Sequence, residues 1–252
     1  MCVSSRKPYH LNEGGLDMKE KFLVLLLLCG GVELSAQTIV QQFAAISKGA
    51  RVTSDLDVVE TGVGSTLIAM PEQLSPGVKV LSVTDNAPAG GNTYKQVSTS
   101  SCADQPVDIW YCEKCNPGVT ELQFHLSDHV TASINSFMEV SNLATSSVLD
   151  GSGAQVSNGT TTTAGSDIGP KITTTATDFI IARFSSSIPR PSGVTPEAWT
   201  FKPSYAYVLN GRPGTYQPTL TGAKAGGSFC ISMAAFKIAE SAPGTQPDNN
   251  KK

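Results

Sequence analysis

The sequence predicts an all-β protein, a two-layer antiparallel β-sandwich with jelly-roll-like connections between its strands. The first observation behind this prediction is a period of two: Leu122, Phe124 and Leu126 alternate with polar residues, as on a strand with one buried face. The second is the recurrence of turn-forming sequences such as Asn116-Pro117-Gly118 between such runs. The third is the lack of a sustained helical stripe, for which Ile39–Ile46 is the one candidate.

The chain begins with a segment that predicts export. Two lysines precede the apolar run Phe22–Leu28, and the small residue Ala36 follows it, which are the three parts of a secretory signal peptide. The run is shorter than the about 18 apolar residues that are needed to span a bilayer. We therefore expect residues 1–36 to be leader and signal peptide, with Met18 as the true start of the protein and cleavage after Ala36. The mature protein would then be secreted or periplasmic.

Residues 37–239 are predicted to form a single β-sandwich domain. Leu122–Leu126 and Val130–Glu139 are expected to be the two strands of a hairpin with its turn at Ser127-Asp128. The other predicted strands are rich in β-branched and aromatic residues. In order they are Ser65–Met70, Val78–Thr84, Thr93–Thr99, Val107–Glu113, Phe179–Ser185, Tyr205–Leu209, Thr215–Thr221 and Phe229–Lys237.

Two segments are predicted to lie outside the core. Residues 145–177 are crowded with Ser, Thr and Gly, and their few apolar side chains cannot offset the entropy of ordering the whole segment. Part of this segment is therefore expected to be loop. Residues 240–252 combine Pro, Gly and a polar end, and we expect them to be a disordered tail.

Four cysteines remain once the leader is removed: Cys102, Cys112, Cys115 and Cys230. An even number of cysteines in an exported chain indicates disulfides. We expect Cys102 to bridge to Cys112 or Cys115, which would pin a loop to a strand and stabilise the fold by about 2–4 kcal/mol. Cys230 would then pair with the remaining cysteine or be a buried thiol.

The Cys112-x-x-Cys115 motif has two alternatives to a structural disulfide, a zinc site and a redox centre. With His125 and His129 the motif comes close to a zinc-finger spacing, but zinc-finger histidines lie on one helix and these fall on or beside predicted strands. A redox centre would need the motif at the start of a helix, whereas here it ends a strand. We therefore predict no metal at this motif and expect both histidines to face solvent.

The charge pattern narrows the choice of partners. The net charge is −3, and Lys and Arg do not cluster, which argues against nucleic acid because its phosphates attract clustered cations. No membrane span is predicted after signal cleavage. Oxygen ligands for a structural calcium ion could come from Asp55, Asp57, Asp85 and Asn86, although Asp-x-Asp alone is an unspecific pattern. No other cofactor is predicted.

Aromatic side chains supply the candidate ligand-binding residues, because exposed rings can stack on sugar faces. The candidates are Trp110, Trp199, Tyr205 and Tyr207, of which Trp199 lies in a Pro-rich loop. Each ring could instead fill the core. Because Trp110 and Tyr111 are adjacent on a predicted strand, we expect one to point inward and the other outward.

The sequence contains few of the residue patterns that catalysis requires. Glycosidases use two carboxylates about 5 to 10 Å apart, and no predicted strand carries acidic residues at positions i and i+2. Glu139, at a strand end beside the Asn142–Asp150 loop, is the one candidate catalytic acid. The chain also lacks a Gly-x-Ser-x-Gly elbow and a phosphate-cradling loop.

A resemblance is carried by a succession of stretches along the chain, among them GSTLIAMPEQ, VDIWYCEKCNPGVTELQFHL, TTTATDFIIARF and GGSFCISMAAFKIA. Together with the segment Glu139–Asp150, the most specific part, they resemble a family of secreted bacterial β-sandwich domains without an assigned activity. The resemblance covers most of residues 60–239 and implies no catalytic residues. We therefore expect a secreted, non-catalytic module that binds a glycan, a surface or a protein partner in the extracellular space. The alternative is a carbohydrate-active enzyme whose carboxylate pair includes Glu139.

Overall fold

The computed structural model describes residues 36–73, 75, 77–98, 107–157, 166–186, 192–196, 198–221 and 229–239. Residues 1–35 of the predicted leader, Cys102 and the predicted C-terminal tail lie outside these residues. The described residues form sixteen strands: β1 (Thr38–Asp57), β2 (Thr66–Gln73), β3 (Val80–Asp85), β4 (Lys95–Ser98), β5 (Ile109–Cys112), β6 (Glu121–Ser141), β7 (Leu149–Ser157), β8 (Ser166–Ile168), β9 (Ile172–Thr174), β10 (Asp178–Ser186), β11 (Gly193–Thr195), β12 (Thr200–Phe201), β13 (Tyr205–Gly211), β14 (Gly214–Tyr216), β15 (Thr219–Thr221) and β16 (Phe229–Lys237).

The predicted all-β class is confirmed: the described residues contain no helix, and their strands pair antiparallel. In the same ranges there is consequently no helix of the length and apolarity that a membrane span requires. Ile39–Ile46, the one helical candidate, belongs to β1, where Ile39 pairs with Val140 and Ile46 with Ile134 of β6. Its local pattern is weak, and pairing with a distant strand decides its conformation.

The first large sheet has six strands in the order β1-β6-β2-β5-β4, with β3 also paired to β6. The predicted hairpin at Ser127-Asp128 is wrong, because β6 continues through both residues from Glu121 to Ser141. The irregularity lies in the partner strand instead: the register of β1 shifts between Lys48 and Thr53, and such bulges bend a strand. Exposed polar residues in the middle of a long strand thus have the same composition as a turn, which explains the wrong prediction.

The second large sheet has the order β12-β13-β10-β16-β7. Strand β7 lies in the Ser-, Thr- and Gly-rich segment, where backbone pairing with β16 compensates for its few apolar side chains. Two small sheets, β11-β15-β8 and β14-β9, complete the described structure. The predicted strand Thr215–Thr221 is in fact two strands, β14 and β15, because Gln217-Pro218 lies between them and proline cannot donate to a ladder.

Clusters of buried side chains show how the large sheets pack. A central cluster joins one face of each sheet, with Ile68 and Met138 from the first and Phe179, Tyr207 and Phe236 from the second. The two large sheets therefore share a core along these faces.

The opposite face of each large sheet is buried as well. In the outer cluster of the first sheet, Trp110 and Phe137 pack with Phe124. In the outer cluster of the second sheet, buried strand residues such as Met233 are covered by Trp199 and Leu220. Strands that are buried on both faces lose their alternation, and all four residues of β5 are accordingly buried.

A buried ion pair crosses the shared core. Arg183 on β10 donates from Nη2 to Glu72 Oε2 on β2 at 2.7 Å, and from Nη1 to the carbonyl oxygen of Ser204 at 2.6 Å. The Ser185 hydroxyl donates to the second oxygen of Glu72 at 2.7 Å. Because Arg183 is fully buried, these bonds replace its hydration and tie the two large sheets together.

The cysteines pair differently from the expectation. Cys112 and Cys115 form a disulfide with their Cα atoms 5.7 Å apart, so the expected bridge from Cys102 to either of them is wrong. The local backbone supplies the reason, because Lys114 adopts a positive φ of 51° and turns the chain back on itself within the motif. Cys230 is also disulfide-bonded, and its partner lies outside the described residues.

Candidate functional site

A groove opens between β1 and the segment Lys202–Tyr205, which joins β12 to β13. It has a volume of about 380 Å³ and is lined by the consecutive β1 residues Gln42–Ile46, by Ile134 of β6 and by Lys202–Tyr205. A volume of this order suits a small ligand or a few side chains of a partner.

Half of the ten residues that line this groove are aliphatic. Ile46 is 60% exposed, and Ala44, Ala45 and Pro203 are exposed as well. Ile134, which pairs with Ile46 across the β1–β6 ladder, is buried. The groove therefore presents apolar surface that a partner could remove from water.

Tyr205 provides a fixed polar group in the groove wall. Its hydroxyl donates to Gln42 Oε1 at 2.9 Å, which links the second sheet to β1. Burial raises the pKa of Tyr205 to about 12, and the neighbouring Tyr207 adds to the rise. The hydroxyl therefore stays neutral at physiological pH and acts as a hydrogen-bond donor.

The buried ion pair holds two parts of the groove wall. Ser204, whose carbonyl oxygen accepts from Arg183, is a lining residue. Glu72 lies directly opposite the lining residue Ile134 in the β2–β6 ladder. The wall is thus anchored to groups whose positions are set by short, charge-assisted hydrogen bonds.

Strand β1 forms one edge of the first sheet. Within the described residues it pairs with β6 alone, so its other side offers backbone N–H and C=O groups next to the groove. Such an edge can accept an additional extended strand. Gln42–Ile46 therefore combine apolar side chains with available backbone groups.

The chain matches no protein-family model, no curated protein and no solved structure. The family resemblance inferred from the sequence therefore stays a prediction.

The four candidate aromatic residues lie in three different clusters. Tyr205 and Tyr207 are neighbours on one face of β13, with ring centroids 6.5 Å apart, and of the four it is Tyr205 that lines the groove. Trp110 lies in the outer cluster of the first sheet and Trp199 in that of the second. Sugar stacking by these rings stays a prediction.

The expectation that one of Trp110 and Tyr111 points outward is wrong. Tyr111 packs in the central cluster and Trp110 in the outer cluster, so both rings are buried. The reason is that both faces of β5 are covered by other parts of the chain.

Glu139 is fully buried and serves as a hydrogen-bond acceptor. Its Oε2 accepts from Gln41 Nε2 at 2.6 Å, and its Oε1 accepts from the backbone N–H of Gly62 at 2.8 Å. Gln41 also bonds the backbone of Val59, so the carboxylate ties the segment after β1 to β1 and β6. This geometry gives Glu139 a structural role and no surface on which a substrate could rest.

The candidate calcium ligands do not converge. In the register of the first sheet, Asp85 lies opposite Leu122, which lies opposite Leu56; Asp85 therefore shares a face with Leu56, and Asp55 and Asp57 point to the other face. Asp85 already accepts hydrogen bonds from Asn92 and from the Tyr94 hydroxyl.

The amide of Asn86 is likewise engaged, because its oxygen accepts from the backbone N–H groups of Thr120 and Glu121. No group of three or more potential metal ligands occurs in the ranges that the structure describes. A calcium ion stays a prediction that this arrangement does not support.

The two histidines do not join the cysteines. The His125 Nε2 lies 2.9 Å from the Thr84 hydroxyl on the neighbouring strand, and His129 is an exposed residue beside Asp128. The Cys112 and Cys115 sulfurs are bonded to each other. The zinc-finger spacing therefore does not correspond to a shared centre.

Sequence reasoning does not find the groove. Gln42–Ile46 lie in the segment with a weak helical pattern, and Lys202 and Pro203 end the Pro-rich loop whose one candidate residue was Trp199. One usable signal was present: Arg183 interrupts the apolar run of β10, and an arginine in a buried strand requires a partner carboxylate. That requirement indicates a buried ion pair but does not identify Glu72.

Proposed function

We propose that the protein is an exported, non-catalytic bacterial β-sandwich module that binds a partner in the extracellular space through the groove beside β1. The observation that carries this proposal is the groove itself, with the exposed Ile46 on an edge strand and the wall segment Lys202–Tyr205 held by Arg183. Membership of the secreted β-sandwich family is part of the proposal. The extracellular location is supported by the leader sequence and by the two disulfide-bonded cysteines of the motif.

The central cluster supports the sandwich description, because it draws side chains from one face of each large sheet. The two small sheets add cover to the second large sheet and go beyond a simple two-layer scheme. The jelly-roll connectivity stays a prediction.

Of the two ligand classes, a protein segment suits the groove better than a glycan. Five of the ten lining residues are aliphatic: Ala44, Ala45, Ile46, Ile134 and Pro203. Of the two aromatic lining residues, Tyr205 is buried, and Phe43 is partly buried and packs against the outer cluster of the first sheet. A glycan site is expected to offer exposed rings. An extended apolar peptide could instead place side chains in the groove and pair its backbone with β1.

The test is a binding screen with the mature, oxidised chain against a peptide display library and a glycan array. Ile46→Asp removes apolar surface from the groove, and the residue that it replaces is exposed. Leu81→Asp is the matched control. Leu81 is 61% exposed and does not line the groove. We expect ligands that bind the wild type to lose at least tenfold in affinity to Ile46→Asp and to bind Leu81→Asp unchanged.

Apolar peptides among the selected ligands would support the protein-binding assignment. Selection of glycans whose binding is weakened by Ile46→Asp would support the groove as the site and show that its ligand is a glycan. Ligands that bind both variants alike would refute the groove as the site. Amino-terminal sequencing of the exported chain tests the location separately, with Gln37 expected as the first residue.

A further inference from the structure

Three neighbouring strands of the second sheet bring a lysine and two aspartates to one place. Lys237 on β16 lies directly opposite Asp178 on β10. On the other side of β16, the register with β7 runs from Ala235–Gly151 to Phe236–Leu149, so Asp150 is the extra residue of a bulge. A bulge re-aims the side chain that it carries, and the Asp150 carboxylate lies 3.6 Å from Lys237 Nζ, measured to its Oδ1.

The carboxyl group of Asp150 is held by an organised set of donors. Its Oδ2 accepts from the backbone N–H groups of Thr175 and Ala176, and its Oδ1 accepts from the Thr175 hydroxyl at 2.8 Å. The side chain of Asp150 is only 5% exposed. Two backbone N–H groups on one carboxyl oxygen are the arrangement that stabilises an oxyanion on that oxygen.

Asp178 is a second acid beside this group. It is fully buried, and neither of its carboxyl oxygens has a donor in full hydrogen-bond geometry. Burial and then the charge of Asp150 raise the pKa of Asp178 to about 7. Near neutral pH the group can therefore both give and take a proton, as a general acid and base must.

An amine, a carboxyl group, a pair of oxyanion donors and a proton-transfer acid are the groups that amide formation requires. We propose that Lys237 Nζ and Asp150 Cγ join in an intramolecular amide bond, which cross-links β16 to β7 with the loss of one water molecule. The reaction needs no cofactor, because both reacting groups and the proton carrier belong to this chain.

The atoms and charges of the reaction balance. Burial disfavours the charge of Asp150, but the hydrogen bonds from Thr175 and Ala176 outweigh burial and lower the pKa of this carboxyl group. Asp178 therefore relays the first proton: it gives its own to the Asp150 carboxylate and takes one from the Lys237 ammonium, which leaves a neutral amine and a neutral carboxylic acid. The amine nitrogen attacks Cγ, the new C–N bond forms, and Oδ2 becomes an oxyanion bonded by the N–H groups of Thr175 and Ala176. Asp178 takes a proton from the nitrogen and delivers one to the hydroxyl at Oδ1. The C–O bond then breaks, water leaves, and Asp178 returns to its starting state.

A simple ion pair would not account for this arrangement. Lys237 is 36% exposed, and a partly exposed ion pair contributes little to stability. Burying Asp178 without full hydrogen bonding is unfavourable. Lys95 and Glu113 supply the comparison, because their side chains are only 2.8 Å apart. Glu113 accepts hydrogen bonds from the Val148 N–H and the Tyr111 hydroxyl, and within the described residues no carboxylic acid is among the groups that shift its pKa.

The test is mass spectrometry of the full exported chain, reduced so that disulfides do not contribute, and then of its tryptic peptides. We expect the intact mass to be lower by one water than the sequence of the same chain requires. A branched peptide that joins Lys237 to Asp150 should appear, while Lys95 and Glu113 should appear in linear peptides. Lys237→Arg keeps the charge but cannot form the amide, and its mass should show no loss.

Asp178→Asn tests whether the reaction needs the proton-transfer acid or only the closeness of Lys237 and Asp150, because it retains both reacting groups. We expect this variant to lack the cross-link, or to form it at least tenfold more slowly after refolding. Rapid formation in Asp178→Asn would refute the role of Asp178 while supporting the bond. An intact wild-type mass without the loss, together with linear peptides for Lys237 and Asp150 after prolonged incubation at neutral pH, would overturn the proposal and leave an ordinary ion pair.

Discussion

At the scale of single residues, Arg183 is the side chain whose partners matter most. It is fully buried, and its charge is balanced by Glu72 across the shared core. Replacing it by methionine would leave the Glu72 carboxylate buried without its cation, and removing one partner of a buried ion pair typically costs about 3–5 kcal/mol. We expect Arg183→Met to lower the free energy of unfolding by this order, as measured by urea denaturation.

Two variants control this measurement. Glu72→Leu combined with Arg183→Met removes both charges, and we expect the double variant to recover part of the loss because no isolated charge remains. Lys95→Met breaks the more exposed pair with Glu113 and should change the stability much less. Equal losses in Arg183→Met and Lys95→Met would contradict the structural role of the buried pair.

Asp178 predicts a dependence of stability on pH. Burial raises its pKa from 3.8 to about 7, so the native state keeps a proton that the unfolded chain releases at lower pH. The unfolded state thus binds fewer protons than the native state between these values, and the free energy of unfolding falls as the pH rises through this window. Above it, the contribution of the protonated group is lost.

Asp178→Asn isolates this contribution, because the amide does not titrate. In a Lys237→Arg background, which excludes the proposed cross-link, we expect Asp178→Asn to be more stable than its parent above the window. The difference should vanish at low pH. Urea denaturation at a series of pH values gives both curves, and parallel curves would show that Asp178 does not titrate in the way described.

At the scale of elements, the turn that follows the Cys112–Cys115 disulfide depends on Gly118. This residue has a φ of 85°, and a Cβ placed on it would lie 3.0 Å from Pro88 Cδ. Its N–H also donates to the carbonyl oxygen of Thr61, so the backbone cannot relax without losing that bond. An L-residue in this conformation costs about 1–2 kcal/mol.

Gly118→Ala should therefore destabilise the fold by at least this amount, while Gly64→Ala is the matched control. Gly64 has a similar φ of 77°, but a Cβ there would meet no atom within 4 Å. We expect Gly118→Ala to have the lower midpoint in urea, and the difference between the variants to report the contact with Pro88. A larger loss in Gly64→Ala would contradict this account.

The sequence predicts elements well where one strand carries its own pattern. Runs of β-branched and aromatic residues locate β2, β3, β5, β10, β13 and β16 to within a few residues. The sequence does not predict a strand whose conformation depends on pairing with a distant strand. Examples are β7, whose Gly- and Ser-rich residues pair with β16, and β1, whose weak helical pattern is overridden by pairing with β6. Short-range patterns do not contain that information.

At the scale of the whole molecule, the disulfides make a definite prediction. Cys112 and Cys115 are bonded to each other, so Cys102 is the cysteine of the expected mature chain that is left for Cys230. The Ser232 hydroxyl, two residues from Cys230, donates to the carbonyl oxygen of Val107 at 2.6 Å. Cys102 precedes Val107 by five residues, which can span up to about 17 Å.

We therefore expect non-reducing peptide mapping to show Cys102 joined to Cys230, and Cys112 joined to Cys115. Closing so long a loop should stabilise the chain by about 4–5 kcal/mol in the chain-entropy description. Cys230→Ser should lower the free energy of unfolding by this order, whereas breaking the short Cys112–Cys115 loop should cost less. A free thiol at Cys102 in exported material would contradict the pairing.

Most of the candidate site could not be predicted from the sequence, because the fold of the whole chain brings its residues together. The groove combines Gln42–Ile46 with Lys202–Tyr205, residues that are distant in the chain and lack a shared motif. Of the candidate rings, Tyr205 lines the groove, whereas Trp110 and Trp199 lie in the outer clusters of the two large sheets. All three rings are buried by packing that no local pattern predicts. Topology, rather than residue type, determines which ring lies beside the groove.

The separate burial of Trp110 and Trp199 has a practical consequence. The two indoles report from different cores, one beside the first large sheet and one beside the second. Replacing either by phenylalanine would leave a single fluorophore whose emission shifts to the red when its own surroundings become hydrated. Comparing the two denaturation curves would then reveal whether the halves of the protein lose their packing in one cooperative event or in succession.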